Sequence, residues 1–530
     1  RKNALAPTPM TKETLRVDSR GLLIRKDPLP APEGPWSTAD ILDYGVSAHP
    51  EKIALQHQEV VISWLELESR VSSIAGWLLS QGCCTGCRVV VQLSNSTIPV
   101  EIFLATQRLG AIWVGANSNL SKDETEWILQ DCGASLFITE QNYVSKSCKT
   151  IGIKPNEADW IDLFNFSDEE PKREVDPHSP AAIAYTSGTT GRPKGAVHSQ
   201  HNLLWPGVSS RSLYPPTENE RTGTALSLTV LNILVIGPLF SLIRGTTSVI
   251  LDPSPAVGMA EQIRNAEVNN LLLVPTQAYD LVHSVAVKSE DLSSLDRVVI
   301  GASHTPQELR DQWQKKFGFP CTVGYGLSEA PSGVTRSRHE RKGVLNGAGH
   351  ALDPVEIGIF DEDGKEVPTG KVGEICISPR KEGPWQEVWS PMLGYWGKPE
   401  ETMKALKGNM LHTGDIGSRD EDGHLTIVGR LSDLVVRGGA NIYPAEVERV
   451  LLSFSSITEA AVIGVLDERL GERVCAAIVV QEDLDIPELS AQLNSQLAHY
   501  KVPEEIKTVT SLPRNVMGKV DREKLKQLFL

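Results

Sequence analysis

A chain of 530 residues is longer than one ordinary core can organise, and its length suggests about three or four domain-sized units. Its 40 % hydrophobic and 22 % charged content is that of a globular protein, while a net charge of −15 sets its long-range field against nucleic acid and anionic membrane. A polyanionic small molecule would therefore have to be held by local positive features.

No apolar run reaches the roughly 18 to 20 residues that span a bilayer. The longest, residues 226–243, is broken by Ser227, Thr229, Asn232, Gly237, Pro238 and Ser241. Residues 1–9 precede Met10 without the apolar segment of a secretory signal and read as a lead, so a soluble, intracellular (cytoplasmic) protein is expected. Of eight cysteines only Cys83, Cys84 and Cys87 cluster, and no second Cys or His pair stands nearby. They read as a cysteine-rich turn rather than a zinc site.

In chain order, residues 36–82 read as helical, with Trp64, Leu67, Val71, Ile74, Trp77 and Leu78 on one face and Gly82 as the stop. Residues 89–93, 111–114 and 136–139 read as strands around a helix at 100–109, an alternation that predicts parallel βαβ units. A polar, acidic connection fills 150–180, and 181–185 reads as another strand. Beyond it, strands at 248–251, 271–274 and 298–300 alternate with helices at 257–266 and 276–287. Residues 340–430 carry short strands at 355–360, 373–378 and 425–428. The last hundred residues combine helices at 444–453 and 487–500 with strands at 459–465 and 474–480.

The chemistry concentrates in Tyr185-Thr186-Ser187-Gly188-Thr189-Thr190-Gly191-Arg192-Pro193-Lys194-Gly195. Glycines let backbone N–H groups approach an anion, hydroxyls add donors and Lys194 adds charge, which suits a polyphosphate. A flexible glycine- and hydroxyl-rich surface loop would have the same composition. No Lys-Ser or Lys-Thr follows a glycine after four residues, so this is not a Walker A loop.

Further short stretches occur downstream in a fixed order: Gly324-Tyr325-Gly326-Leu327-Ser328-Glu329; Gly373-Glu374-Ile375; Leu411-His412-Thr413-Gly414-Asp415; Gly429-Arg430-Leu431-Ser432-Asp433; Gly438-Gly439-Ala440-Asn441-Ile442-Tyr443-Pro444-Ala445-Glu446; and Leu512-Pro513-Arg514-Asn515-Val516-Met517-Gly518-Lys519. Singly most are weak, but as an ordered set they are specific. With the loop, they make the chain resemble the adenylate-forming superfamily of acyl-CoA synthetases, aryl-CoA ligases, firefly luciferase and the adenylation domains of peptide synthetases, over nearly its whole length. The resemblance implies an α/β fold: a large N-terminal domain of βα-layered subdomains with a β-rich subdomain at about 340–430, and a small mobile α+β C-terminal domain. The boundaries expected are 1–35 for the lead, 36–430 for the large domain and 431–530 for the small one.

A carboxylate attacking the α-phosphorus of ATP joins two anions, so the catalyst must supply positive charge and positioned donors rather than a base. The resemblance implies the carriers. Thr186, Ser187, Gly188, Thr189, Thr190 and Lys194 would cradle the phosphates, Glu329 would hold Mg²⁺ and Ser328 would contact the α-phosphate. Tyr325, with Gly326, Ala302 and Ser303, would face adenine, and Asp415 and Arg430 the ribose. Lys519 would be delivered by the C-terminal domain to bridge carboxylate and α-phosphate. Rotation about a hinge, here Ser432 where the family usually has Asp or Lys, would then bring Gly438 and Gly439 to the pantetheine tunnel. Core packing for Tyr325, a surface turn for Asp415, a plain turn for the two glycines and a solvated tail for Lys519 are the competing readings.

Val230, Asn232, Gly301 and Gly324 are expected to line the acyl pocket. No charged residue lies between Ser227 and Ser241, so a second carboxylate or an amino group would be costly there, and small Gly324 would leave the floor open. The expectation is an AMP-forming acid:CoA ligase that uses ATP, Mg²⁺ and coenzyme A on an apolar monocarboxylic acid, with a short- or medium-chain fatty or aryl tail. The alternatives are a stand-alone adenylation enzyme that loads a carrier protein, a luciferase-type oxygenase, and a nucleotide-binding scaffold without catalysis.

Overall fold

The computed structural model describes residues 17–24, 34–154, 174–186, 193–301, 305–331, 333–337, 347–407, 410–438, 440–481, 484–514 and 519–530. The chain forms two compact units, Arg1–Gly358 with Cys376–Thr413, and Ile359–Ile375 with Gly414–Leu530. No helix among the described residues is long and apolar enough to cross a membrane.

Two of the sheets in the larger unit have mixed α/β architecture. In the first, Arg88–Gln92 lies between Ile112–Gly115 and Leu136–Thr139, all parallel, as the alternation predicts. Pro180–Thr186 joins parallel to Ile112–Gly115, and Lys194–Ser199 then returns antiparallel, with Gly394–Tyr395 beside it at the edge. Lys194 therefore stands on the strand that returns beside the one ending at Thr186. In the second sheet Arg221–Thr224, Thr247–Ile250, Asn270–Leu273 and Arg297–Ile300 run parallel, with Ala256–Asn265 and Pro275–His283 as their helices.

Residues 36–82 are not one helical stretch. Leu42–Ala48 is a helix, but Ile53–His57 and Val60–Ser63 form an antiparallel hairpin before the helix Trp64–Ser80. Its turn is made by Gln58, at φ 51°, without glycine or proline, so the usual punctuation is missing. From Trp64 onward the helical spacing holds. Ser63 accepts from the Glu66 amide at 3.2 Å, all six apolar positions are buried, and Gly82 ends the segment at φ 90°.

One ion pair is fully interior. Arg244 Nε and Nη2 donate to the two oxygens of Glu220 at 3.0 and 2.8 Å, and Nη1 reaches Ser210 Oγ at 3.0 Å. Arg297 approaches the same carboxylate at 3.7 Å.

In the smaller unit Ile457–Asp467 and Gly471–Val480 form a long antiparallel pair, with Val435–Arg437 against the second strand. Pro444–Leu452 and Ile486–Gln496 bury Val447, Leu451, Leu489 and Leu493 in the core beneath. The second helix ends before residue 500, where Leu497 turns extended and His499–Lys501 forms a 3₁₀ turn.

Candidate active site

The larger unit carries the first group of the residues named from the sequence. Residues 187–192 lie outside the described residues, and with them Ser187, Gly188, Thr189 and Thr190, as do Ala302 and Ser303. The hairpin that presents the loop is tightly registered, Tyr185 opposite Gly195 and Thr186 opposite Lys194, with Thr186 Oγ1 donating to the Lys194 carbonyl at 3.4 Å. A Cβ on Gly195 would lie 2.6 Å from Ile183 Cγ2, so the close approach of the two strands needs a glycine.

The stretch 324–329 is built against this hairpin. His198, on the same strand as Lys194, donates from Nε2 to the Ser328 carbonyl at 2.6 Å. Its Nδ1 faces the Asn202 amide at 3.4 Å, and that amide also donates to the Pro391 carbonyl at 2.9 Å. These bonds fix the imidazole as the neutral Nε2–H tautomer. The Glu329 carbonyl accepts from Met392 N at 2.9 Å and its Oε1 from the Tyr395 hydroxyl at 2.7 Å. Lys194 Nζ sits 5.4 Å over the Tyr395 ring. Tyr325 is half-buried, held by its backbone to Thr335 and Val334, and Gly326 is exposed.

Burial pushes the His198 imidazole down to about 4. Its folded pKa therefore lies below the unfolded value of about 6.5, so the unfolded chain binds the extra proton first. The stabilisation is complete above about pH 6.5 and is lost as pH falls toward 4, about 3 kcal/mol in all. His198→Gln should flatten the urea-unfolding midpoint against pH across that window; an unchanged slope would remove His198 as its source.

The candidate pocket stretch is held mainly through its backbone. Asn95 donates to the Leu226 carbonyl at 3.0 Å and accepts from Leu228 N at 3.1 Å. A Cβ on Gly115 would lie 1.8 Å from the Thr229 carbonyl, so the stretch rests directly on the end of a strand. Val230 then precedes the short helix Leu231–Leu234, from which Asn232 donates to Ser328 Oγ at 3.3 Å. Val230 and Asn232 are half-buried. Gly301 follows the Arg297–Ile300 strand with nothing within 4 Å of its would-be Cβ, whereas one on Gly324 would meet the Thr335 carbonyl at 2.9 Å.

The smaller unit carries the remaining residues named from the sequence. Asp415 is buried, on the strand Met410–Arg419, which the sequence reading omits because Gly414 and Gly417 interrupt its apolar pattern. It is no surface turn. Arg430, half-exposed and opposite it on Leu425–Arg430, sets Nε 3.0 Å from Asp415 Oδ1. Ser432, in the 3₁₀ turn Leu431–Asp433, donates to Asp433 Oδ1 at 3.1 Å, and Asp433 also takes Arg522 Nε at 3.0 Å. Gly438 has φ 57° and donates to the Leu470 carbonyl at 2.7 Å, in the turn between Val435–Arg437 and Ala440–Ile442. Gly439 lies outside the described residues. Lys519 is exposed, next to Val520, which forms a bridge with Arg514.

The sequence reading missed His198, Asn202 and Tyr395. A histidine directly after the apolar run Gly195-Ala196-Val197 was the available signal for the first, since a buried polar group needs partners. Cys84 and Cys87 approach to 3.1 Å between sulfurs, but no metal-ligand grouping among the described residues includes them.

The donor set suits a magnesium nucleotide. Glu329 spends one oxygen on a neutral hydroxyl, pairs with no cation among the described residues and is free to offer the other, as a hard cation requires. The comparisons with known proteins agree. Residues 42–396 match the model of the AMP-binding enzyme family, and residues 446–519 that of the AMP-binding enzyme C-terminal domain. A feruloyl-CoA synthase of Amycolatopsis sp is 32 % identical over 91 % of this chain and 96 % of its own. An indoleacetate–CoA ligase of Aromatoleum aromaticum is 30 % identical over 92 % and 97 %. The structure of o-succinylbenzoate CoA synthetase from Bacillus subtilis in complex with ATP and magnesium ion superposes with a TM-score of 0.81 at 29 % identity, covering 92 % of this chain and 99 % of that one. The chain belongs to the AMP-binding enzyme family.

Proposed function

We propose that this chain, an AMP-forming acid:CoA ligase that uses ATP, Mg²⁺ and coenzyme A, activates an apolar monocarboxylic acid, with an aryl acid favoured over a fatty one. The observation that carries the substrate is the stretch from Ser227 to Ser241: it bears no charge, and Asn232, its one amide, is already engaged by Ser328. A second carboxylate would be desolvated there without a partner. The relatives named for ferulate and indoleacetate support the aryl preference.

In this reading Thr186, Ser187, Gly188, Thr189, Thr190 and Lys194 hold the phosphates, and Ser328 orients the α-phosphate. Glu329 would hold Mg²⁺, which when bound would supply charge neutralisation to the phosphates. Tyr325, with Gly326, Ala302 and Ser303, faces adenine, Asp415 and Arg430 hold the ribose, and Lys519 steadies the two anions as they join. Val230, Asn232, Gly301 and Gly324 surround the acyl tail. The residues from 431 onward act as a separate domain that turns at Ser432 and brings Gly438 and Gly439 to the thiol arm. Dependence on ATP and coenzyme A supports a location inside the cell.

The test is thioester formation from ATP and CoA with hydroxycinnamic, arylacetic, medium-chain fatty and dicarboxylic acids in competition. The aryl acids should show the highest kcat/KM. A preference for a dicarboxylate would overturn the substrate assignment, and no CoA product from any acid would count against the ligase.

A further inference from the structure

Tyr395 touches both charged groups of the larger unit that the proposed activity assigns to phosphate and metal. Its hydroxyl donates to Glu329 Oε1 at 2.7 Å, and its ring face lies 5.4 Å from Lys194 Nζ. The residue is itself firmly placed. Its backbone N–H donates to Thr402 Oγ1 at 2.9 Å, its carbonyl accepts from Lys398 N at 3.1 Å, and its neighbour Trp396 donates to the Gly195 carbonyl at 2.8 Å. The short strand Gly394–Tyr395 pairs with the strand that carries Lys194.

An ammonium and a carboxylate within reach of one side chain attract each other, and a direct ion pair would neutralise both before a nucleotide arrived. Here the ammonium rests on an aromatic face instead, where the ring quadrupole attracts it without a counter-charge. The carboxylate takes a neutral donor, which orients it and leaves its negative charge intact.

We propose that Tyr395 is a positioning residue that keeps Lys194 and Glu329 apart and correctly aimed, through two separable contacts: the hydroxyl orients Glu329 toward Mg²⁺, and the ring holds Lys194 for the phosphates. This rests on the nucleotide reading of the site given above. Groups that orient a metal-binding carboxylate are worth about 10- to 100-fold in metal affinity.

The experiment is calorimetric titration of ATP into the full-length protein, without acid or CoA, at a series of Mg²⁺ concentrations. Tyr395→Phe keeps the ring, so ATP binding without metal should match wild type while the Mg²⁺ needed for half-maximal enhancement rises roughly tenfold. Tyr395→Leu loses both contacts, so binding without metal should weaken as well. In a Glu329→Gln background the Phe substitution should have no further effect, which a merely structural role of the hydroxyl would not produce. Tyr395→Phe with wild-type Mg²⁺ dependence, or an undiminished effect in the Glu329→Gln background, would overturn the proposal. Wild-type protein that binds no ATP at any Mg²⁺ concentration would overturn the nucleotide reading instead.

Discussion

Lys519→Ala is expected to slow adenylate formation by roughly 100- to 1,000-fold, the usual cost of removing one preorganised charged donor from a site where charge builds up. Conversion of a supplied acyl-adenylate and CoA to thioester should continue near the wild-type rate. The difference follows from the chemistry of the two steps. The first brings two anions together and needs an ammonium between them. The second expels AMP from a mixed anhydride that is already activated, so this lysine contributes little. Pyrophosphate release measures the first step and thioester formation from the adenylate the second. Equal loss in both would remove Lys519 from the proposed role. The backbone flanking it is held by the Arg514↔Val520 bridge and by Asp521 N bonding to the Pro513 carbonyl at 2.8 Å, so truncating the side chain should leave the unfolding midpoint in place.

The largest effect on stability is expected at the interior ion pair. Arg244→Met leaves the Glu220 carboxylate, 1 % exposed, with only the 3.7 Å approach of Arg297 among the described residues, and should cost about 3–5 kcal/mol. Glu220→Leu should cost a similar amount by stranding the guanidinium. Joining the two substitutions removes both charges and their desolvation cost, so the double variant should be more stable than either single one. Urea-unfolding midpoints of the four proteins decide this. A double variant whose loss equals the sum of the two single losses would show that the charges do not depend on each other.

Much of the architecture was legible because local pattern and tertiary role coincide. The strand 136–139 and the helical face from Trp64 to Leu78 are written in apolar spacing, and each is buried as that spacing requires. The hairpin before Trp64 was not, since its turn lacks glycine and the strong helical period beside it dominates the reading. The strand through Asp415 was hidden by its glycines, although the motif there had marked Asp415 itself. For the candidate site, the motif residues were legible and their supports were not. Tyr395 lies more than sixty positions from Glu329 in sequence, and His198 is 130 positions from Ser328. Each pair meets only because a short edge strand or a returning hairpin carries it there, and no local rule encodes such a meeting.

The seating of the candidate pocket stretch has a consequence for how this protein can change. Asn95 and Gly115 grip main-chain atoms of residues 226–229, and main-chain atoms are the same whatever side chains follow. Val230, Asn232 and Ile236, the half-buried positions beyond the grip, can thus be exchanged together while the scaffold stays in register. If the proposed acyl pocket lies there, acid preference is in that sense a replaceable insert, and a block graft at those three positions should retune it at little expense in foldedness.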